Sequence, residues 1–179
     1  MPTIITHSIV SGLLGKAIKW KPTPLITGCS VLCGSLPDVD VVGRFFGIEY
    51  LHEWGHRGMS HSFFIAACIG LCLSFLCSDR SMINRVGWWL YFTLLTSTHT
   101  LLDMFTNGGH GVAIFAPWSH QRHFAPDSYR VVEVSPLNFR FFTWERLSPV
   151  FYSELMWIIL PIFFLVLIRW LIEVRFNRV

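Results

Sequence analysis

The chain has 179 residues, 53% of them hydrophobic and only 14% charged, with a mean hydropathy of +0.50. A soluble domain carries about 25% charged residues, so too few charges remain here to cover a globular surface. The 14 basic and 11 acidic residues include no dense basic run beyond Lys16, Lys19 and Lys21, which points to no nucleic-acid partner. What remains is a single domain, 1–179, lying in or against a bilayer.

Residues 4–15 are apolar around His7 and end at the three lysines, a cluster that suits a lipid headgroup layer. No basic residue precedes this run, unlike in a cleaved signal, so the mature protein is expected to keep Met1. Residues 22–37 carry no charge and close on Leu36-Pro37-Asp38. Both segments are short and contain glycines (Gly12, Gly15, Gly28, Gly34), which predicts re-entrant or half-inserted helices. Residues 62–78 and 86–102, seventeen each and about 26 Å as helix, and the shorter run 155–168, which continues past Arg169 into Trp170-Leu171-Ile172, are plausible spans with help from tilt and snorkelling. The expected fold is all-α: an integral membrane bundle of four to five membrane-embedded helices. Its main extramembrane loop is 107–150, and a transmembrane helix follows in 151–179. Cys29 with Cys33, and Cys68 with Cys72, are spaced i,i+4; together with Cys77 they read as small buried hydrophobes.

If the segments run up and down in order, one side holds Lys16, Lys19, Lys21, Arg80, Arg85, Arg169, Arg175 and Arg178 against two acids. The other side holds six arginines and nine acids. The positive-inside rule then places the C-terminus in the cytoplasm and loops 38–61 and 107–150 outside.

The polar residues at the segment ends carry the chemistry. His7 opens the first segment, Asp38 and Asp40 follow the second, His56 and His61 precede the third, and His99 and Asp103 close the fourth. Alternating direction brings all seven to one level. His99 and Asp103, at i,i+4, share a helix face and can share a divalent ion. The alternative is that Asp103 caps a neighbouring helix or pairs with Arg57, and His99 hydrogen-bonds in the core. Charge near hydrocarbon is costly, which favours a functional or paired role.

In His56-Arg57-Gly58-Met59-Ser60-His61-Ser62 a turn at Gly58 is needed to bring the histidines together, and Ser60 or Ser62 can cap the next helix. Arg57 is placed to neutralise an anionic substrate oxygen. Asp38 and Asp40, after Pro37, are expected in an extended turn with both carboxylates on the same side. Thr106-Asn107-Gly108-Gly109-His110-Gly111 is expected to end the fourth helix with a glycine cap. His110 is the loop histidine best placed to touch a substrate; His52, His120 and His123 read as plain loop residues.

These pieces together (Pro37-Asp38-Val39-Asp40, the His56–Ser62 stretch, His99-x3-Asp103, Thr106–Val112 and Phe115-Ala116-Pro117-Trp118) resemble the YdjM family over roughly residues 1–150. That family comprises LexA-regulated inner-membrane proteins assigned as metal-dependent hydrolases. The resemblance implies a bacterial inner-membrane location, a link to the SOS response and hydrolase activity. The ligand pattern is also similar in style to zinc-dependent phospholipase C and single-strand nuclease sites, although no H-x3-E element follows here.

The expected function is metal-assisted hydrolysis at the outer membrane–water interface. One or two divalent ions would be held by His99, Asp103, His61, His56 and Asp38, with Asp40 and His7. Zn²⁺ is the favoured ion, and Mn²⁺ or Mg²⁺ are alternatives. Arg57, Asp40 and His110 are the candidate catalytic groups. A lipid or lipid-linked phosphoester is the expected substrate. The competing expectations are a metal transporter or sensor, and a scaffold with a structural metal.

Overall fold

A computed structural model describes residues 1–18, 22–77, 82–136 and 143–176. Among them are six α-helices and no strand: α1 Ile4–Ile18, α2 Pro24–Ser35, α3 Phe63–Cys77, α4 Met82–Met104, α5 Trp144–Glu154 and α6 Leu160–Phe176.

Local chemistry sets the boundaries. The Thr23 side chain accepts from the Ile26 amide and Pro24 occupies the first turn, so α2 starts there. Pro37 cannot continue the α2 hydrogen-bond ladder, and the chain restarts as a 3₁₀ helix, Pro37–Phe46, bent by 51° from α2. The extended turn expected at Asp38 and Asp40 is therefore helical instead. Ser62 caps α3 by accepting from Ile65 N at 3.2 Å. At the end of α4, Thr106 Oγ1 donates to Asp103 O at 2.8 Å, so a threonine satisfies that carbonyl where a glycine cap was expected.

The helices run up and down. Val10 packs with Ile158, and Leu14 and Ile162 flank them, so α1 and the C-terminal helix run in the same direction. Ile18, Cys77 and Ile83 line one cavity, which brings the ends of α1 and α3 and the start of α4 together. The starts of α1 and α3 and the ends of α2 and α4 consequently meet at the opposite level. Lys19, Lys21, Asp79, Arg80, Arg140 and Arg178, whose charges bear on the orientation, lie outside the described residues.

Among the described residues one helix is long and apolar enough to cross a membrane, the 32-residue run Trp144–Arg175. The bent pair α2 and Pro37–Phe46 passes the same test only when taken together, and α1 and α3 are shorter apolar helices. The composition thus gives one clear span where four to five were expected. That span also starts earlier than expected, because Trp144-Glu145-Arg146 looks polar enough for a loop yet forms the first turn of α5. A π-helical turn, Leu155–Ile159, joins α5 to α6, with Leu160 N donating to Leu155 O just before Pro161.

Cys29 and Cys33 are buried in a core with Leu73, Phe92 and Leu95. Cys68 and Cys72 are exposed instead, because α3 packs on α4 through Ala66, Gly70 and Leu73. Gly70 permits that contact: a Cβ there would lie 2.3 Å from Thr93 Oγ1.

Candidate metal centre

Asp38, His61, His99 and Asp103 meet at the level where α2 and α4 end and α3 begins, and all four are buried. His99 Nδ1 lies 2.7 Å from the Gly34 carbonyl, which fixes it as the protonated nitrogen and leaves Nε2 as a lone pair. On the other ring, His61 Nδ1 lies 3.1 Å from Asp40 Oδ2 and 2.9 Å from Ser60 Oγ. Donation from Nδ1 to that carboxylate leaves His61 Nε2 as a lone pair as well.

The two Nε2 atoms stand 3.0 Å apart. Asp38 Oδ1 lies 3.5 Å from His61 Nε2 and 3.4 Å from His99 Nε2, and Asp103 Oδ2 lies 3.4 Å from His61 Nε2. Four electron-rich atoms with few hydrogens among them repel one another unless a cation lies between them. Zinc bonds of about 2.0–2.1 Å in a tetrahedron separate the ligands by about 3.3 Å, which matches this spacing. Both Asp38 oxygens, Asp103 Oδ1 and both His7 nitrogens lack a hydrogen-bond partner despite full burial. Such orphans are rare in proteins and here surround one point. The residues present therefore fit a divalent ion.

His7 stacks on His99 with centroids 3.7 Å apart, and its Nε2 lies 3.3 Å from Asp103 Oδ1. It is adjacent to the four and available as a fifth ligand.

Asp40, His56 and His61 form a second group that shares His61 with the first. Here donors face acceptors. Asp40 Oδ1 meets His56 Nδ1 at 2.7 Å, while Oδ2 accepts from Ser60 Oγ and from Arg57 N at 3.2 Å. Asp40 thereby orients two imidazoles, the role of carboxylates behind metal-bound histidines. Burial lowers the His56 pKa in spite of Asp40, so this ring is neutral at neutral pH. Burial acts the same way on His61, but the carboxylates of Asp103, Asp38 and Asp40 facing its ring outweigh it and hold its pKa well above the ordinary value. In the absence of an ion, a proton takes the cation's place.

Arg57 is fully buried. Its Nε donates to Asp103 Oδ2 at 2.9 Å, Nη2 to Thr106 Oγ1 at 2.9 Å and Nη1 to Gly108 O at 3.2 Å. Its φ of 63° is the only positive value at a non-glycine among the described residues. Arg57 is thus built into the centre as the partner of Asp103, and its guanidinium does not reach solvent. His110 is exposed and stands edge-on to Tyr50 at 5.1 Å, away from the ligand cluster. The pairing of Asp103 with Arg57 and the hydrogen bond of His99 coexist with the ligand geometry; they are not alternatives to it.

Three supporting residues carry no motif. Gly34 supplies the His99 acceptor, and a Cβ on it would fall 2.2 Å from His7 O. Arg122 donates to the carbonyls of His56 and Tyr50 at 2.9 and 3.1 Å and holds the histidine loop. Glu154 is buried and accepts from Thr6 Oγ1 at 2.7 Å, Thr3 Oγ1 at 2.9 Å and Thr3 N, which fixes the start of the helix carrying His7. Of the three, only Glu154 leaves a sequence signal, a carboxylate at the edge of an apolar run.

A cleft of about 560 Å³ opens beside the centre, with His56, Tyr50 and Gly109 in its walls together with Arg44, Glu133 and Arg146.

No solved structure matches the chain. It is 36% identical over 162 residues to inner membrane protein YbcI of Escherichia coli (strain K12), covering 90% of this chain and 92% of that protein. The YdjM inner membrane protein family matches residues 1–176. On both counts the chain belongs to the YdjM inner membrane protein family.

Proposed function

We propose that this inner-membrane protein is a metal-dependent phosphoester hydrolase whose centre faces the outer membrane–water interface. The observation that carries this reading is the convergence of Asp38, His61, His99 and Asp103 with unpartnered lone pairs next to an open cleft. A divalent ion held there, Zn²⁺ by the imidazole-rich donor set with Mn²⁺ or Mg²⁺ as alternatives, would supply Lewis-acid polarisation and a more acidic bound water.

The chain's own groups divide the remaining work. Asp40 holds His56 in the tautomer with Nδ1 protonated, leaving Nε2 basic in the cleft wall. His56 Nε2 would accept the proton of the attacking water as its oxygen bonds to phosphorus, and return it to the ester oxygen that leaves as the P–O bond breaks, giving phosphate and an alcohol. Arg57 keeps Asp103 ionised and aligned. His110, exposed and edge-on to Tyr50 of the cleft wall, is the proposed contact to a substrate that extends beyond the cleft.

Depth in the membrane supports a lipid or lipid-linked phosphoester as substrate. Phe45, Phe46, Trp118 and Trp144 are exposed around the level of the centre, as in the aromatic belts at headgroup depth. Below that level Leu32, Phe75, Leu90 and Leu94 face outward, which supports a multi-pass arrangement in which α1–α4 also sit in the bilayer. The excess of basic residues on the segments that run to the far end supports a cytoplasmic C-terminus and a centre on the periplasmic side.

The test uses purified protein in nanodiscs. Hydrolysis of p-nitrophenyl phosphate or bis-p-nitrophenyl phosphate is expected, abolished by chelator and restored by Zn²⁺ or Mn²⁺. His56→Ala should lose about 10²- to 10⁴-fold in kcat while keeping its metal. A metal-loaded wild type that cleaves no phosphoester supports a structural metal instead.

A further inference from the structure

The metal centre is flanked by two cavities of opposite character. On the His56 side lies the open cleft, with the guanidinium-bearing Arg44 and Arg146 in its walls. Arg44 comes from the 3₁₀ helix that carries Asp38 and Asp40, and Arg146 from the first turn of α5. On the Asp38 side lies a half-open apolar cavity of about 380 Å³, walled by Ile4, Ile5, Val41, Leu147 and Phe151. Ser135 and Pro136 line both cavities, so the two adjoin.

Asp38 joins the apolar cavity to the metal centre: it lines the cavity while its Oδ1 faces the Nε2 atoms of His61 and His99 at 3.5 and 3.4 Å. Ligand sites of this size, about 300–1,000 Å³, combine apolar walls with a few polar groups that fix orientation.

We infer that the two cavities form one substrate site for a single-chain anionic amphiphile, an alkyl or acyl phosphoester. Its phosphate lies in the cleft between Arg44 and Arg146, with Glu133 at the rim, and its hydrocarbon chain fills the apolar cavity beneath Asp38. The phosphorus is thereby set between His56 and the metal ligands. The assignment rests on the proposed hydrolytic function and narrows its substrate. It requires the guanidinium groups for charge and the apolar walls for chain length, and the two requirements separate experimentally.

The experiment measures binding of dodecyl phosphate, butyl phosphate and dodecanol to metal-loaded protein in nanodiscs, with empty nanodiscs subtracted. Wild type should bind dodecyl phosphate at least about tenfold more tightly than either of the others, the gain expected from burying a few methylenes or pairing one phosphate. Leu147→Trp, which fills the apolar cavity, should abolish the chain-length preference and leave butyl phosphate binding unchanged. Arg44→Ala should abolish the preference for dodecyl phosphate over dodecanol. Val41→Phe repeats the cavity test if Leu147→Trp does not fold. Equal wild-type affinity for the two phosphates, or a chain-length preference that survives both filling variants, overturns the inference. Selective binding without any phosphoester cleavage overturns the hydrolase reading and leaves the amphiphile site standing; cleavage of p-nitrophenyl phosphate with no chain-length preference does the reverse.

Discussion

At the scale of single residues, Gly34 sets how closely α1 approaches α2, and with it the position of His7 and the acceptor for His99. Gly34→Ala forces a Cβ against a backbone carbonyl that cannot yield, at a cost of about 1–3 kcal/mol. It should lower Tm and lose bound metal. Gly28→Ala, where a Cβ meets nothing within 4 Å, should keep both, and equal behaviour of the two variants would contradict this role for Gly34. The aspartates divide similarly. Asp38→Asn removes a ligand and should leave the centre empty. Asp40→Asn disturbs only the orientation of two histidines and should weaken metal binding about 10- to 100-fold without abolishing it, as titration against a chelator would read.

The elevated pKa of His61 gives a pH signature. In the metal-free protein its contribution to stability is fully present below about 6.5, the unfolded value, and is lost as pH rises through the elevated folded value. An ion must displace that proton, so apparent affinity should climb about tenfold per pH unit below the elevated folded value and level off above it. A flat profile would mean His61 is not a ligand. The ligands themselves are legible from the sequence as polar residues ending apolar segments. What divides Asp38 from Asp40, and turns Arg57 inward, is not legible: hydrogen-bond direction at His61 and a positive φ at Arg57 leave no trace in residue spacing.

Among the elements, the C-terminal helix is tied to the metal centre through its own buried carboxylate. Glu154 sits one residue before the π turn and collects both Thr3 groups and the Thr6 hydroxyl at the start of α1. Hydrogen bonds to a charged group contribute about 1.5–3 kcal/mol each. Glu154→Ala should therefore lower Tm by several degrees and weaken metal retention through His7, with Glu154→Gln intermediate; thermal unfolding paired with size-exclusion chromatography reads both. Unchanged stability in Glu154→Ala would show that α5 and α1 are joined by apolar packing alone. Apolar runs and their caps locate α1 to α4 within a few residues, because those signals are local. The last helix is placed too late from sequence, since Glu145 and Arg146 read as loop polarity, and Glu154 finds its partners only at the start of α1. The 3₁₀ helix Pro37–Phe46 escapes sequence reading for a related reason: a proline marks a break and leaves the next conformation open.

For the whole molecule, up-and-down order makes a metal centre visible without knowledge of any contact. It gathers scattered histidines and aspartates at one end and leaves Lys16, Arg85, Arg169 and Arg175 on the segments that run to the other. A cytoplasmic-only reporter fused to the C-terminus should be active, and one fused within the loop 112–125 should be silent; the opposite pattern inverts the topology. The number of spans is not fixed by composition, because α4 has the length, 23 residues, yet carries Asn84, Arg85, His99 and Asp103. Its place in the bilayer depends on α3 covering one face.

Every role proposed for the centre depends on Asp38, His61, His99 and Asp103 holding a divalent ion. The decisive measurement is metal analysis of protein purified from membranes, wild type beside Asp38→Asn and His99→Ala. One ion per chain is expected in the wild type and none in either variant, with both variants folded. A wild type that emerges from metal-supplemented purification with no ion, or a His99→Ala protein that keeps it in full, would contradict the assignment of these four residues as ligands.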